Sequence, residues 1–238
     1  MHSLIHLKDF TFIDLTHDLT PRMPSWNGSC GFEQTLRDDY DPTASVKFRT
    51  YDIHMQAGMG THMDAPAHCF PGGRSITDLN LNECISPCVV INVSHQSYER
   101  YSLSPSDIEA FEAQYGTIPP HCFVIVHTGW DQHWDTPEKY CNNHVFPSIS
   151  KEAISLLLER QIVGLGIDTL SPDRPEDGFP VHHLILGADK YIIENIANAS
   201  KLSPIGAYTF ALPIKIQGGT EAPLRLIGMF REEDKREL

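Results

Sequence analysis

The chain of 238 residues carries 18 Lys+Arg against 31 Asp+Glu, a formal net charge of −13, and 41% of it is hydrophobic. So acidic a balance offers phosphate no basic face and argues against a nucleic-acid partner, while the apolar fraction suffices for one large domain or two small ones. Nowhere are there about eighteen consecutive apolar residues, and residues 1–10 lack an apolar core followed by a small-residue cleavage site, so the reading is a soluble, cytoplasmic protein with no membrane partner.

In chain order, residues 11–15 read as a first strand, leading into a loop over 16–28 rich in Pro and turn residues. Trp26 sits in that loop either as a plug closing the domain or as an aromatic wall for a flat substrate. Residues 46–53 alternate apolar and polar as a half-buried strand does, and deliver the chain into its most informative stretch, 54–70. There Gly60-Thr61-His62-Met63-Asp64-Ala65-Pro66-Ala67-His68 sets His, Asp and His at near-alternate positions, so that an extended segment points them to one side. Imidazole and carboxylate in that pattern suit a metal or acid/base site, and the competing reading is ordinary loop polarity.

Residues 71–74 form a turn, and 88–93 a β-branched run suited to a buried strand. Ser104, Pro105 and Asp107 read as N-cap, N1 proline and first-turn acid of a helix whose stripe is Ile108, Phe111 and Tyr115, ending at Gly116. A strand over 123–128 ends at Thr128-Gly129-Trp130, and Ser150 caps a helix with Ile154, Leu157 and Leu158 inward. A strand over 162–168 ends at Asp168, which is either a third carboxylate of the site or the cap of a turn. His182 on a short helical segment and Glu194 at a strand end are a weak metal signal taken alone. Closing strands over 208–214 and 224–230 are joined by a connection over 216–223, and the sign-alternating tail 231–237 reads as a frayed end. Cys30, Cys69, Cys84, Cys88, Cys122 and Cys141 read as reduced thiols; Cys84 and Cys88 have a zinc-like spacing, but no second Cys/His pair completes a cage.

The stretch Gly60-Thr61-His62-x-Asp64-x-Pro66-x-His68 resembles the signature His-x-Gly-Thr-His-x-Asp-x-Pro-x-His of the metal-dependent cyclase-like hydrolases, the family of kynurenine formamidase and isatin hydrolase. The first histidine is absent; Gly58 stands in its place, and His54 is no obvious substitute. The resemblance runs from about residue 14 to about residue 230. It implies an α/β fold of swivelling β/β/α architecture in a single domain over 1–238, usually a homo-oligomer, here a dimer or tetramer. It also implies His182, rather than His183, as a ligand with Glu194 twelve residues on, Trp26 of Pro24-Ser25-Trp26 bordering the substrate, and the Thr128-Gly129-Trp130 segment near the site.

The expected function is a hydrolase opening an amide, formamide or lactone bond of a small aromatic or cyclic molecule. A divalent metal, zinc first and manganese second, would be held by His62, Asp64, His182 and Glu194, with one ion per chain favoured over two because of Gly58. Bound water would then ionise with a pKa of about 7. His68 is the expected proton shuttle, since an imidazole pKa of about 6.5 serves both directions. The rival reading is a non-catalytic or ligand-binding member with a degenerate metal site. No Gly-x-Ser-x-Gly elbow supports a serine hydrolase.

Overall fold

Valine and isoleucine runs with apolar residues at every position mark strands covered on both faces, and these form the centre of the molecule. The computed structural model describes residues 6–28, 31–45 and 47–231; Cys30, Val46 and the tail 232–238, all read from sequence above, lie outside them. The strands are β1 (Thr11–Asp14), β2 (Phe32–Asp38), β3 (Thr50–Met55), β4 (His62–Asp64), β5 (Ile85–Asn92), β6 (Ser102–Leu103), β7 (Phe123–His127), β8 (Ser148–Ile149), β9 (Gly164–Ile167), β10 (Tyr191–Glu194), β11 (Ala207–Pro213) and β12 (Glu221–Phe230). The α-helices are α1 (Leu81–Cys84), α2 (Pro105–Tyr115), α3 (Pro137–Cys141), α4 (Lys151–Glu159) and α5 (Pro180–Gly187).

The main sheet has eight strands in the order β1-β12-β11-β5-β7-β9-β10-β4, and a further pairing of β4 with β12 closes it into a barrel-like ring with β1 on the same flank of β12 as β4. β5, β7, β9 and β10 run parallel, while β4, β11 and β12 pair antiparallel with their neighbours. Successive residues therefore separate into two cores. Phe123 and Ile125 join Met63, Ile193 and Ala222 inside the ring. Val124 and Val126 pack outward with Ile108, Ile154, Leu157 and Ile185 of α2, α4 and α5. The expected α/β architecture is present as a single domain of this barrel-like kind.

Local signals place the covering helices. Ser104 and Asp107 form the capping box of α2, with Asp107 Oδ2 accepting from Ser104 N–H at 2.8 Å, and Gly116 ends the helix at φ +90°. Ser150 Oγ accepts from Ala153 N–H at 3.1 Å at the start of α4. Two features depart from the sequence reading. The strand read over 46–53 forms as β3 over Thr50–Met55, but its Tyr51 and Ile53 are exposed instead of half-buried, and its partner β2, with Leu36 exposed, is unannounced. The final strand begins at Glu221, inside the stretch read as a connection, because residues 221–223 find a partner in β4. No helix among the described residues is long and apolar enough to cross a membrane.

Candidate active site

β4 is the hub of the site. It lies between β10 and β12, with Glu194 opposite His62 on one side and Glu221 opposite Asp64 on the other. Residues opposite each other on antiparallel strands share a face, and i, i+2 residues share it too. The register thus gathers His62, Asp64, Glu194 and Glu221 on one side of three adjacent strands, while Met63 turns into the ring core.

Gly60 enters β4 at φ +64°, a conformation that favours glycine, and a Cβ there would stand 2.5 Å from Leu19 Cδ2 and push that side chain aside. Its carbonyl accepts from His62 Nδ1–H at 2.9 Å and from Asn195 Nδ2 at 2.9 Å. The first contact assigns the proton to Nδ1 and leaves the Nε2 lone pair of His62 facing the cluster. Thr61 Oγ1 donates to the Asn195 carbonyl at 2.6 Å, tying the start of β4 to the end of β10.

His182 arrives from α5. Asp173 accepts from the backbone N–H groups of Val181 and His182 at 3.0 and 2.9 Å, and from His182 Nδ1–H at 2.7 Å. One buried carboxylate therefore anchors the helix start and fixes the tautomer of the histidine it carries, again freeing Nε2. His183 does not enter the cluster; its Nδ1 donates to the Phe179 carbonyl at 2.8 Å from an exposed position.

The free ring nitrogens face the acids. His62 Nε2 lies 3.5 Å from Asp64 Oδ1 and 3.4 Å from Glu194 Oε2, and His182 Nε2 lies 3.3 Å from Glu194 Oε1 and 3.8 Å from Asp64 Oδ2. These contacts are close without being aligned as hydrogen bonds, and the buried Asp64 Oδ1 and Glu194 Oε1 have no hydrogen-bond partner. A buried acceptor without a donor is costly. Two imidazole nitrogens and two carboxylates, each carboxylate with one orphaned oxygen, are donors of the kind a divalent cation satisfies. The donor atoms of His62, Asp64 and Glu194 lie within 4.8 Å of one another, as do those of Asp64, His68 and His182, so the residues present fit such a group.

The electrostatics agree. Burial pushes the Asp64 carboxyl up to about 6, against the pull of His62. Burial opposes charge on His62 and His182 as well, but the carboxylates outweigh it and leave both imidazoles above their ordinary value. A cluster that holds protons this tightly has displaceable positive charge where a cation would sit.

The cluster floors a cleft of about 430 Å³. Trp26, 36% exposed, stands on its rim with its ring 6.0 Å from Phe179 and 4.2 Å from His144, so it is a lining residue and not a core plug. His68 follows β4 on a short 3-10 turn, Pro66–His68, at the same cleft. His54 is exposed on the β2–β3 hairpin and does not line the cleft. Trp130 is core: it packs with Tyr140, Phe146 and Leu170, and its indole N–H donates to the Tyr140 carbonyl at 2.9 Å. Asp168 caps a loop and takes no part in the cleft. Cys84 and Cys88 are buried free thiols, and neither is in a group of metal-type donors among the described residues.

Sequence reasoning missed Glu221, Asp173 and Asn195. Asp173 had a local signal, an acid shortly before a proline-started helix. Glu221 had none, since only its pairing with β4 brings it to the site.

The closed sheet and the His/Asp/His/Glu cluster define an α/β domain with a divalent-metal donor set in its cleft. The model of the Cyclase family matches residues 13–174, and the chain belongs to that family. It is 31% identical over 185 residues to isatin hydrolase of Roseibium aggregatum, covering 71% of this chain and 70% of that protein. It is 27% identical over 219 residues to kynurenine formamidase of Geobacillus thermodenitrificans, covering 90% and 95%. The structure of isatin hydrolase A from Labrenzia aggregata bound to benzyl benzoate superposes with a TM-score of 0.85 at 30% identity, covering 94% of this chain and 95% of the other.

Proposed function

We propose that the protein is a metal-dependent hydrolase that cleaves the C–N bond of a small aromatic amide, either an aryl formamide or a cyclic amide fused to an aromatic ring. The observation that carries this is the convergence of His62, Asp64, His182 and Glu194, with two orphaned carboxylate oxygens, on the floor of a cleft rimmed by Trp26 and Phe179. The names of the related proteins point to the same bond class.

A divalent cation held by these four residues would supply Lewis-acid polarisation of the substrate carbonyl and hydroxide at neutral pH. Zinc and manganese both suit two imidazoles and two carboxylates, and we propose one ion per chain. The chain's own residues do the rest. Asp173 and the Gly60 carbonyl hold the two ligand imidazoles in the tautomer that presents Nε2. Trp26 and Phe179 offer ring faces against which a flat substrate can lie. His68, at the cleft wall and not wholly buried, takes a proton from the attacking water and returns one to the departing nitrogen. A homo-oligomer, dimer or tetramer, belongs to the same proposal, and light scattering checks it.

The test is a hydrolysis screen across aryl formamides, isatin-like cyclic amides and unsaturated lactones, with metal-stripped and metal-reloaded protein. Turnover of an amide that disappears on stripping and returns with zinc or manganese supports the proposal. Turnover indifferent to metal, or none with any member of the panel, overturns it.

A further inference from the structure

Glu221 reaches the site from the opposite end of the chain, and its position is unusually determined. β12 places it opposite Asp64, and its Oε2 lies 2.7 Å from His68 Nδ1. A Cβ built on Gly58 would stand 2.9 Å from Glu221 Oε1 and 3.4 Å from His62 Nε2. Any side chain at residue 58 would therefore press on this carboxylate. The space in which the resembling motif carries a histidine is thus filled by an acid from another strand.

We infer that Glu221 is the positioning residue of His68, and that Gly58 is the opening Glu221 needs to reach it. The inference deepens the proposed function and rests on it for the role of His68. A carboxylate on Nδ1 fixes the imidazole in the tautomer whose Nε2 lone pair is free to exchange protons, and stabilises the imidazolium that forms when it does. Ligation of a metal by Glu221 is a separate possibility that the geometry disfavours, since Glu221 belongs to neither set of donor atoms within 4.8 Å of one another around Asp64. Gly58 is on this reading a traded position and not a scar of a decayed site.

The experiment uses Glu221→Gln, Gly58→Ala and their double variant, each zinc-loaded and checked for folding by circular dichroism. Three quantities are measured: zinc per chain, the His68 tautomer from imidazole 15N chemical shifts (assigned with His68→Ala), and kcat and KM on the best amide of the screen. In the wild type the Nδ1–H tautomer of His68 should dominate. Glu221→Gln should lose that preference and lower kcat about ten- to a hundredfold, with KM within about threefold and zinc content unchanged. Gly58→Ala should reproduce most of the loss by displacing the carboxylate, and the double variant should be no worse than Glu221→Gln, because both act through one contact. Loss of a zinc equivalent in Glu221→Gln would make Glu221 a ligand and overturn the inference. An unchanged tautomer, or additive losses in the double variant, would overturn it too. If no amide is turned over, the proposed function fails, whereas the tautomer and zinc measurements still decide the Glu221–His68 pair.

Discussion

Two buried clusters of histidine and aspartate occupy neighbouring strand ends, and they do opposite things with the same side chains. In the first, around Asp64 and Glu194, one oxygen of each carboxylate lacks any donor. In the second, formed by His127, Asp131 and Asp168, no carboxylate oxygen is buried without a hydrogen-bond partner. Asp168 Oδ1 accepts from the backbone N–H and hydroxyl of Thr128, both at 2.8 Å, and Oδ2 accepts from the N–H groups of Gly129 and Trp130 at 2.7 and 3.0 Å. Asp131 accepts from Asn198 N–H at 3.1 Å, and His127 Nδ1 lies 3.2 Å from Asn92 Oδ1. Residue type and burial do not separate the two clusters; the state of their hydrogen bonds does. A satisfied buried acid is a clasp that shapes a loop, and an unsatisfied one is a site waiting for a partner.

The comparison breaks hardest at Asp64. Asp64→Asn should leave the fold intact, as judged by circular dichroism, yet abolish metal binding and reduce turnover to background, since it removes the anion shared by both donor sets. Normal metal content and activity in that variant would mean that Asp64 only shapes a turn. Next in size is His68→Ala, which should keep its metal while kcat falls about a hundredfold to ten-thousandfold, the usual worth of a positioned acid/base. Elemental analysis alongside kinetics decides, and simultaneous loss of metal would make His68 a ligand.

Asp173→Asn probes the anchor behind His182 and should weaken metal affinity by about ten- to a hundredfold, read by isothermal titration calorimetry. Affinity as tight as in the wild type would leave Asp173 with only the helix start to hold. The pH dependence follows from the raised proton affinities of His62 and His182 and from the Asp64 carboxyl at about 6. Ligands must shed protons to bind metal, so affinity should be greatest above these values and fall as pH drops through them, by about tenfold per pH unit for each proton displaced. Calorimetry at pH 8, 7 and 6 gives the slope, and a flat line would contradict this picture of the cluster.

The smallest functional effect belongs to the satisfied cluster. Asp168→Asn turns an amide NH2 against backbone donors and should cost about 1–3 kcal/mol. For a chain of this size that lowers Tm by about 2–4 °C per kcal/mol. Metal content and kcat should stay put. If this variant loses metal instead, the two clusters are not distinguished by their hydrogen bonds.

The sequence by itself determined what is written within a few residues. The box of Ser104 and Asp107, the cap at Ser150 and the alternation of His62, Asp64 and the intervening Met63 are short-range consequences of helical and extended geometry, and the structure has each where the spacing puts it. The same holds for strands such as β5 and β7, whose apolar runs leave no solvent face. Only the tertiary structure decided which strands meet. Thr61 and Asn195 are 134 residues apart and hydrogen-bonded, and nothing local in 216–223 announces that Glu221 will face Asp64. Nor could spacing tell that Trp130 packs in a core while Trp26 rims a cleft, or that Asp168 serves the loop of a neighbouring strand. Each of these depends on sheet register, which is set by the fit of all the strands around the ring and by the burial it achieves, and so is a property of the closed structure and of no single segment.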